Sequence, residues 1–125
     1  MTNTKARVEQ RKHKRFGVQD GAFVILRPTD TGVGRLIDIS MGGLTFDYVT
    51  RKVPSIEATE LDIFLTDSDF RLYEFPCQSV WDLIIYEIPT AALHKRRCGV
   101  QFGELTQSQV FQLEHFIQNY TTGPA

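Results

Sequence analysis

Two stretches of this chain carry groups suited to an anionic, base-bearing ligand. The first is Gln10-Arg11-Lys12-His13-Lys14-Arg15-Phe16. Arg11 and Arg15 stand four residues apart, so they share a face in a helical turn and form a flexible fork in an extended arm. Either geometry suits phosphate. A guanidinium presents paired planar donors that match phosphate oxygens, fits the O6/N7 edge of guanine and stacks on a base. The second stretch is Asp38-Ile39-Ser40-Met41-Gly42-Gly43. Asp38 and Ser40, at i and i+2 near the end of an expected strand, set a carboxylate acceptor beside a hydroxyl. Guanine N1–H and N2–H2 donors would suit that carboxylate. Gly42 and Gly43 permit a tight turn and close backbone approach. The same hexapeptide also reads as a plain hairpin turn, and a basic terminus also reads as a solvated arm.

The elements that must position these groups read mainly as strands. The apolar run 21–28 ends at Pro28, and a Thr-Asp-Thr-Gly cluster at 29–32 predicts a turn. In the following segment Val33, Ile37 and Ile39 are expected on one face, with Asp38 and Ser40 on the other. Leu44, Phe46 and Tyr48 alternate, as do Leu61, Ile63 and Leu65, and further short strands are expected over 70–75, 77–82 and 97–102. Short strands punctuated by Gly, Pro and Asp predict an antiparallel barrel or sandwich. The period changes near the C-terminus. Thr106 and Gln109 form a capping box, and Val110, Leu113, Ile117 and Tyr120 recur at helical spacing, so an amphipathic helix should pack on the barrel. Gly123 and Pro124 read as a free tail.

The 125 residues suffice for one domain with a real core. Charge is unevenly spread: Lys5, Arg7, Arg11, Lys12, Lys14 and Arg15 against Glu9 place +5 on residues 1–17, leaving −6 on the rest of a chain of net charge −1. Cys77 and Cys98 show no metal-ligand spacing or disulfide framework and are expected to be buried thiols. No segment reaches the ~18 apolar residues of a membrane span, and a cytoplasmic location is expected.

Arg11-x-x-x-Arg15, a first strand, and then Asp38-x-Ser40-x-x-Gly43 at the end of the second strand resemble the PilZ domain, the bacterial receptor module for cyclic diguanylate (c-di-GMP). The stretch from Cys98 through the helix is similar to the family's closing strand and helix, so the resemblance spans residues 7–120. It implies a six-stranded antiparallel split barrel with a C-terminal α-helix. It divides the chain into a basic arm at 1–17, a barrel at 18–105 and a helix at 106–120. By the same resemblance Arg11 and Arg15 would grip phosphates and guanine edges, Asp38 would accept from a guanine, Ser40 would donate to a ligand oxygen and Gly43 would give clearance. Lys14 and Gly42 join the ligand set as neighbours of these residues, and Arg97 resembles a family arginine that reaches the ligand in some members. Gln10 stands where many members carry a further arginine, which leaves open one ligand molecule or a stacked pair.

The expected function is a non-catalytic effector that folds its arm over the nucleotide and signals to a separate downstream protein. Rival readings are an adaptor of the same fold that binds no nucleotide, and a small-barrel nucleic-acid binder, which the acidic body disfavours. No enzyme is expected, since no nucleophile with its base, metal-ligand cluster or phosphate-cradling loop appears, and no cofactor or DNA is called for. Trp81 could stack on a base, although packing is the more usual role of a strand tryptophan. His13 reads as solvated. Residues 83–89, Leu-Ile-Ile-Tyr-Glu-Ile-Pro, are either a strand that finishes the core or an exposed patch for a partner or a second copy of the chain.

Overall fold

A computed structural model describes residues 13–28, 33–51 and 58–125. The expectations for Gln10, Arg11 and the turn at 29–32 therefore lie outside the described residues. Strands β1 (Phe16–Val18), β2 (Ala22–Arg27), β3 (Val33–Ile39), β4 (Gly43–Thr50), β5 (Glu60–Leu65), β6 (Arg71–Ile88) and β7 (Leu93–Phe102) precede helix α1 (Gln107–Tyr120) and strand β8 (Thr121–Pro124). All pairings are antiparallel. The order β2-β5-β6-β7-β4-β3 is closed by β2 pairing with β3, which makes a six-stranded barrel, and β1 and β8 extend it outward from β3.

Closure follows from the alternating pattern. Val24 and Leu26 of β2, Leu61 and Ile63 of β5, Leu72 and Phe75 of β6, and Leu44, Phe46 and Tyr48 of β4 all turn inward and are buried. Each strand thus offers one apolar face to a shared interior, and curling the sheet removes the edges that a flat sheet would expose. The expected pattern on β3 is corrected. The register against β4 shifts between Leu36 and Asp38, so the buried pair is Leu36 and Ile39, and Val33 is exposed. One extra residue at Ile37 re-phases the strand, as a β-bulge does.

The runs 70–75, 77–82 and 83–88, read from sequence as separate pieces, form one long strand. Glu74 takes a positive φ of 56° and its N–H donates to Asp62 Oδ1 at 2.8 Å, which bends β6 past β5 without ending it. The far end of β6 pairs with β7 out to Ile88 opposite Leu93. Leu83, Ile84, Ile85, Tyr86 and Ile88 are exposed there, so 83–89 does not finish the core.

Helix α1 begins as expected: Thr106 Oγ1 accepts from Gln109 N–H at 3.1 Å, and the Gln109 side chain accepts from Thr106 N–H at 3.0 Å. Its buried seam is Leu113 and Phe116. Phe70 stacks with Phe116 and Tyr120, and the Phe116 and Tyr120 rings are tilted to each other, the three ring centroids lying 5.4–6.4 Å apart. Phe111 points to solvent. The free tail is corrected as well, because Gly123 pairs with Gly17 and residues 121–124 form β8 against β1. Among the described residues no helix is long and apolar enough to cross a membrane.

The two thiols are buried in the core. Burial pushes Cys77 up to about 11, with smaller contributions from Cys98 and Glu60. Burial likewise pushes Cys98 up to about 11, against an opposing contact from the Ser79 hydroxyl.

Two outcomes follow from this packing. Phe116→Ala should cost about 3–5 kcal/mol in urea unfolding, whereas Phe111→Ala should stay within about 0.5 kcal/mol of wild type. At pH 8 iodoacetamide should alkylate Cys77 and Cys98 in the native protein at least roughly a hundredfold more slowly than in denaturant, since the thiolate is the reactive form. Mass spectrometry over a time course reads this directly.

Candidate functional site

The short pairing of β1 with β3 sets Phe16 opposite Ile39 and Gly17 opposite Asp38. That register delivers Arg15 to the end of β3. Its Nη1 donates to Asp38 Oδ1 at 2.8 Å and lies 3.5 Å from Thr45 Oγ1. Arg15 and Asp38 side chains are 47% and 20% exposed, so the pair is held in largely solvated surroundings.

Ser40 is buried in the turn that follows. Its hydroxyl accepts from Gly42 N–H at 3.1 Å and Gly43 N–H at 3.2 Å, and donates to the Gly43 carbonyl at 3.3 Å. The Ser40 N–H also donates to that carbonyl at 2.8 Å. The hydroxyl therefore shapes the β3–β4 turn, a role open from sequence beside ligand contact. Gly43 is required on packing grounds: a Cβ there would fall 2.1 Å from the Val100 carbonyl oxygen on β7. At Gly42 a Cβ would fall 2.7 Å from the His13 ring, which rests on this glycine.

Between arm and sheet lies a cleft of about 670 Å³. Arg15 and His13 form one wall, Ser40, Gly42 and Gly43 the base of the turn, and Trp81 and Gly99 the floor on β6 and β7. The register places Asp38, Thr45, Gly99 and Trp81 in one row across four strands. The cleft thus gathers a guanidinium, an imidazole and an indole. These groups can bind a phosphate and stack on a planar ring.

The remaining candidates sit elsewhere. Lys14 Nζ lies 5.9 Å from the centroid of the Phe16 ring and lines a separate hollow beside Met41 and α1. Arg97 grips Asp47 with Nε and Nη2 at 2.7 and 3.0 Å, one step along the sheet from the cleft, and this pairing raises its pKa. Asp47 is buried and also has Arg35 and Lys95 at 3.8 Å. Sequence reasoning passed over Asp47 and Thr45, and it read His13 as solvated where the structure sets it against the cleft. For Asp47 and Thr45 the available signal was their position between Leu44, Phe46 and Tyr48, which puts both on the barrel's outer face.

The PilZ domain family model matches residues 9–119. This chain belongs to the PilZ domain family. No curated protein sequence matches it significantly. Among solved structures it is similar to the PilZ domain with c-di-GMP of YcgR from Escherichia coli, with a TM-score of 0.63 and 17% identity over 89% of this chain and 91% of that one. It is also similar to MrkH of K. pneumonia, solved as a c-di-GMP complex, with a TM-score of 0.62 and 15% identity over 87% of this chain. It spans 51% of the MrkH chain, about half of its length. At these identities the likeness establishes the barrel fold. The six-stranded barrel and C-terminal helix anticipated from the sequence are thereby observed.

Gly43→Ala should destabilise the PilZ barrel by about 1–3 kcal/mol, because the methyl group meets backbone on β7 that can move only with its strand. Gly42→Ala meets only the mobile end of a side chain and should cost less than about 0.5 kcal/mol. Urea denaturation of the two variants side by side checks the order.

Proposed function

We propose that this PilZ domain is a non-catalytic receptor for cyclic diguanylate, bound in the cleft between Arg15 and the β3–β4 turn, and that it signals to a downstream protein. The observation that carries the reading is the meeting of the two motifs: Arg15 of the arm reaches Asp38 across the Ser40–Gly43 turn at 2.8 Å. An arginine four residues before Arg15 extends the same fork in sequence. The c-di-GMP complexes of YcgR and MrkH support the ligand class.

The chemistry of binding is an exchange. A partly exposed ion pair contributes only about 0–1 kcal/mol, whereas each charge-assisted hydrogen bond to a ligand phosphate contributes about 1.5–3 kcal/mol. Arg15 can therefore leave Asp38 for a phosphate at small cost. The freed Asp38 carboxylate then accepts from guanine N1–H and N2–H2, for which a carboxylate has matching acceptors. Ser40 keeps the turn in shape and can turn its hydroxyl proton from the Gly43 carbonyl to a ligand oxygen. Arg97, held by Asp47, serves the electrostatic field of the site and the outer face of the sheet. The exposed apolar side chains of 83–88 provide the surface through which the state of the cleft reaches a downstream protein or a second copy of the chain.

Titration calorimetry with cyclic diguanylate tests the reading and returns stoichiometry. Arg15→Ala and Asp38→Ala should each weaken binding by about ten- to a hundredfold, the loss of one charged contact, with the melting transition retained. Raising salt should weaken wild-type binding and leave Arg15→Ala less affected. No heat with the wild-type protein, or wild-type affinity in both variants, would overturn it in favour of a nucleotide-free adaptor or a different site.

A further inference from the structure

Strand β6 outruns the barrel. Strand β5 pairs with it only between Arg71 and Pro76, and Cys77 N–H donates to the Thr59 carbonyl at 3.0 Å. From Gln78 to Ile88, among the described residues, β6 is paired on its β7 side alone. The other side of this stretch is a free sheet edge, with a row of backbone donors and acceptors that only extended chain can match.

The edge has the composition of an interior strand. A strand covered on both faces reads as a near-continuous apolar run, whereas edge strands are commonly guarded by lysine or proline. Leu83-Ile84-Ile85-Tyr86-Glu87-Ile88 is such a run, and no lysine or proline interrupts 78–88. The register against β7 sets Leu83 opposite Arg97, Tyr86 opposite Lys95 and Ile88 opposite Leu93, all on the outer face, and Ile84 opposite Arg96 on the inner one. Val80, Leu83, Ile84, Ile85, Tyr86 and Ile88 are 38–61% exposed. At about half exposure six such side chains offer roughly 500–600 Å², the upper range for the largest apolar patch of a monomer, and the edge backbone between them brings the segment toward the ~800 Å² per partner of a standard interface.

We infer that this edge pairs with the same edge of a second copy of the chain, antiparallel across a two-fold axis near Ile85 and Tyr86, so that two barrels share one continuous sheet in the order β4-β7-β6-β6-β7-β4. The free edge requires extended backbone, and apolar groups on both of its faces require apolar groups on both faces of whatever pairs with it. Strand β6 meets both requirements for its own copy, and an isologous contact uses one patch twice. With the axis at this position Leu83 falls opposite the partner's Ile88, outer face to outer face. Glu87 is the one charge in 83–88, and it lies three residue steps from its counterpart, about 10 Å along the strand, which is roughly a Debye length at 0.1 M salt. Asp82 is held inside its own barrel by Arg96 and Tyr48. Like charges therefore do not oppose the contact. The inference names the partner of the 83–88 surface and does not depend on nucleotide in the cleft.

Sedimentation velocity on the intact chain without nucleotide, from micromolar to near-millimolar concentration, tests the pairing. The average mass should rise from that of one chain to that of two. Leu83→Glu and Ile84→Glu, one on each face, should each weaken association by about tenfold or more while the far-ultraviolet circular dichroism is retained. Phe111→Glu, on α1 and as exposed as Leu83 at 61%, should leave association unchanged. A monomer at every concentration overturns the inference and leaves the edge to a partner of another sequence. A dimer that Leu83→Glu leaves intact, or that Phe111→Glu breaks equally, overturns it as well, because the contact then lies elsewhere. Should the glutamate variants lose their fold, Ile85→Cys decides: beside the axis, mild oxidation should link two chains through this position and should not do so in Phe111→Cys, and failure of the link overturns the pairing. Titration with cyclic diguanylate tests the receptor reading separately, so either can fail while the other stands.

Discussion

Asp47 is a carboxylate only 4% exposed, in the middle of a strand whose other face is the barrel interior. Strand β4 is consequently buried on both sides over Gly43–Tyr48, an unusual condition for an antiparallel strand, which ordinarily keeps one face wet. A buried charge must be paired and hydrogen-bonded or it costs several kcal/mol. Asp47 meets that demand with the two-pronged grip of Arg97 from β7, and with Arg35 of β3 and Lys95 of β7 at longer range. Carboxylate and cations together tie three adjacent strands on the outer face.

Asp47 has three cations within 4 Å, of which Arg35 also reaches Asp20 at 3.3 Å. Arg97 itself does not line the cleft. Its commitment to a buried partner also explains why its exposure alone is a poor guide to its role.

The parts of the fold legible in the sequence are those that depend on a single strand or helix. The apolar run of β2, the alternation in β4 and β5, and the Thr106–Gln109 box are local patterns, and the structure reproduces them as strands and a capped helix. What was not legible depends on a partner strand. The bulges at Ile37 and Val80 exist because of the register against β4 and β7, and each inverts the face assignment of the residues after it. Strand β8 was misread because Thr-Thr-Gly-Pro has no strand signature of its own; it is extended because β1 offers an edge. The site divides in the same way. Arg15, Asp38, Ser40 and Gly43 stand out by spacing within one short segment each, whereas Thr45, Asp47, Gly99 and Trp81 become neighbours only once four strands are laid side by side.

Strand β7 shows how little of the site is free to move. Arg97 points outward to Asp47, and its neighbour Arg96 points the other way to Asp82, donating from Nε at 2.6 Å. Asp82 also accepts from the Tyr48 hydroxyl, whose pKa burial and this contact raise, so the inner network joins β4, β6 and β7 as the outer one joins β3, β4 and β7. Gly99 lies two residues beyond Arg97 on the same strand, and the floor of the cleft inherits that rigidity. Arg15 is about half exposed; its side chain hydrogen-bonds to Asp38 and, at longer range, Thr45, while its carbonyl accepts from Ala125 N–H at 3.0 Å. In the proposed receptor, a cross-braced floor and an exchangeable wall would divide the work of binding, because ordering cost falls only on the part that moves. On the reading proposed above, a change of shape on ligand binding is expected at the Arg15–Asp38 pair rather than in the cross-braced sheet.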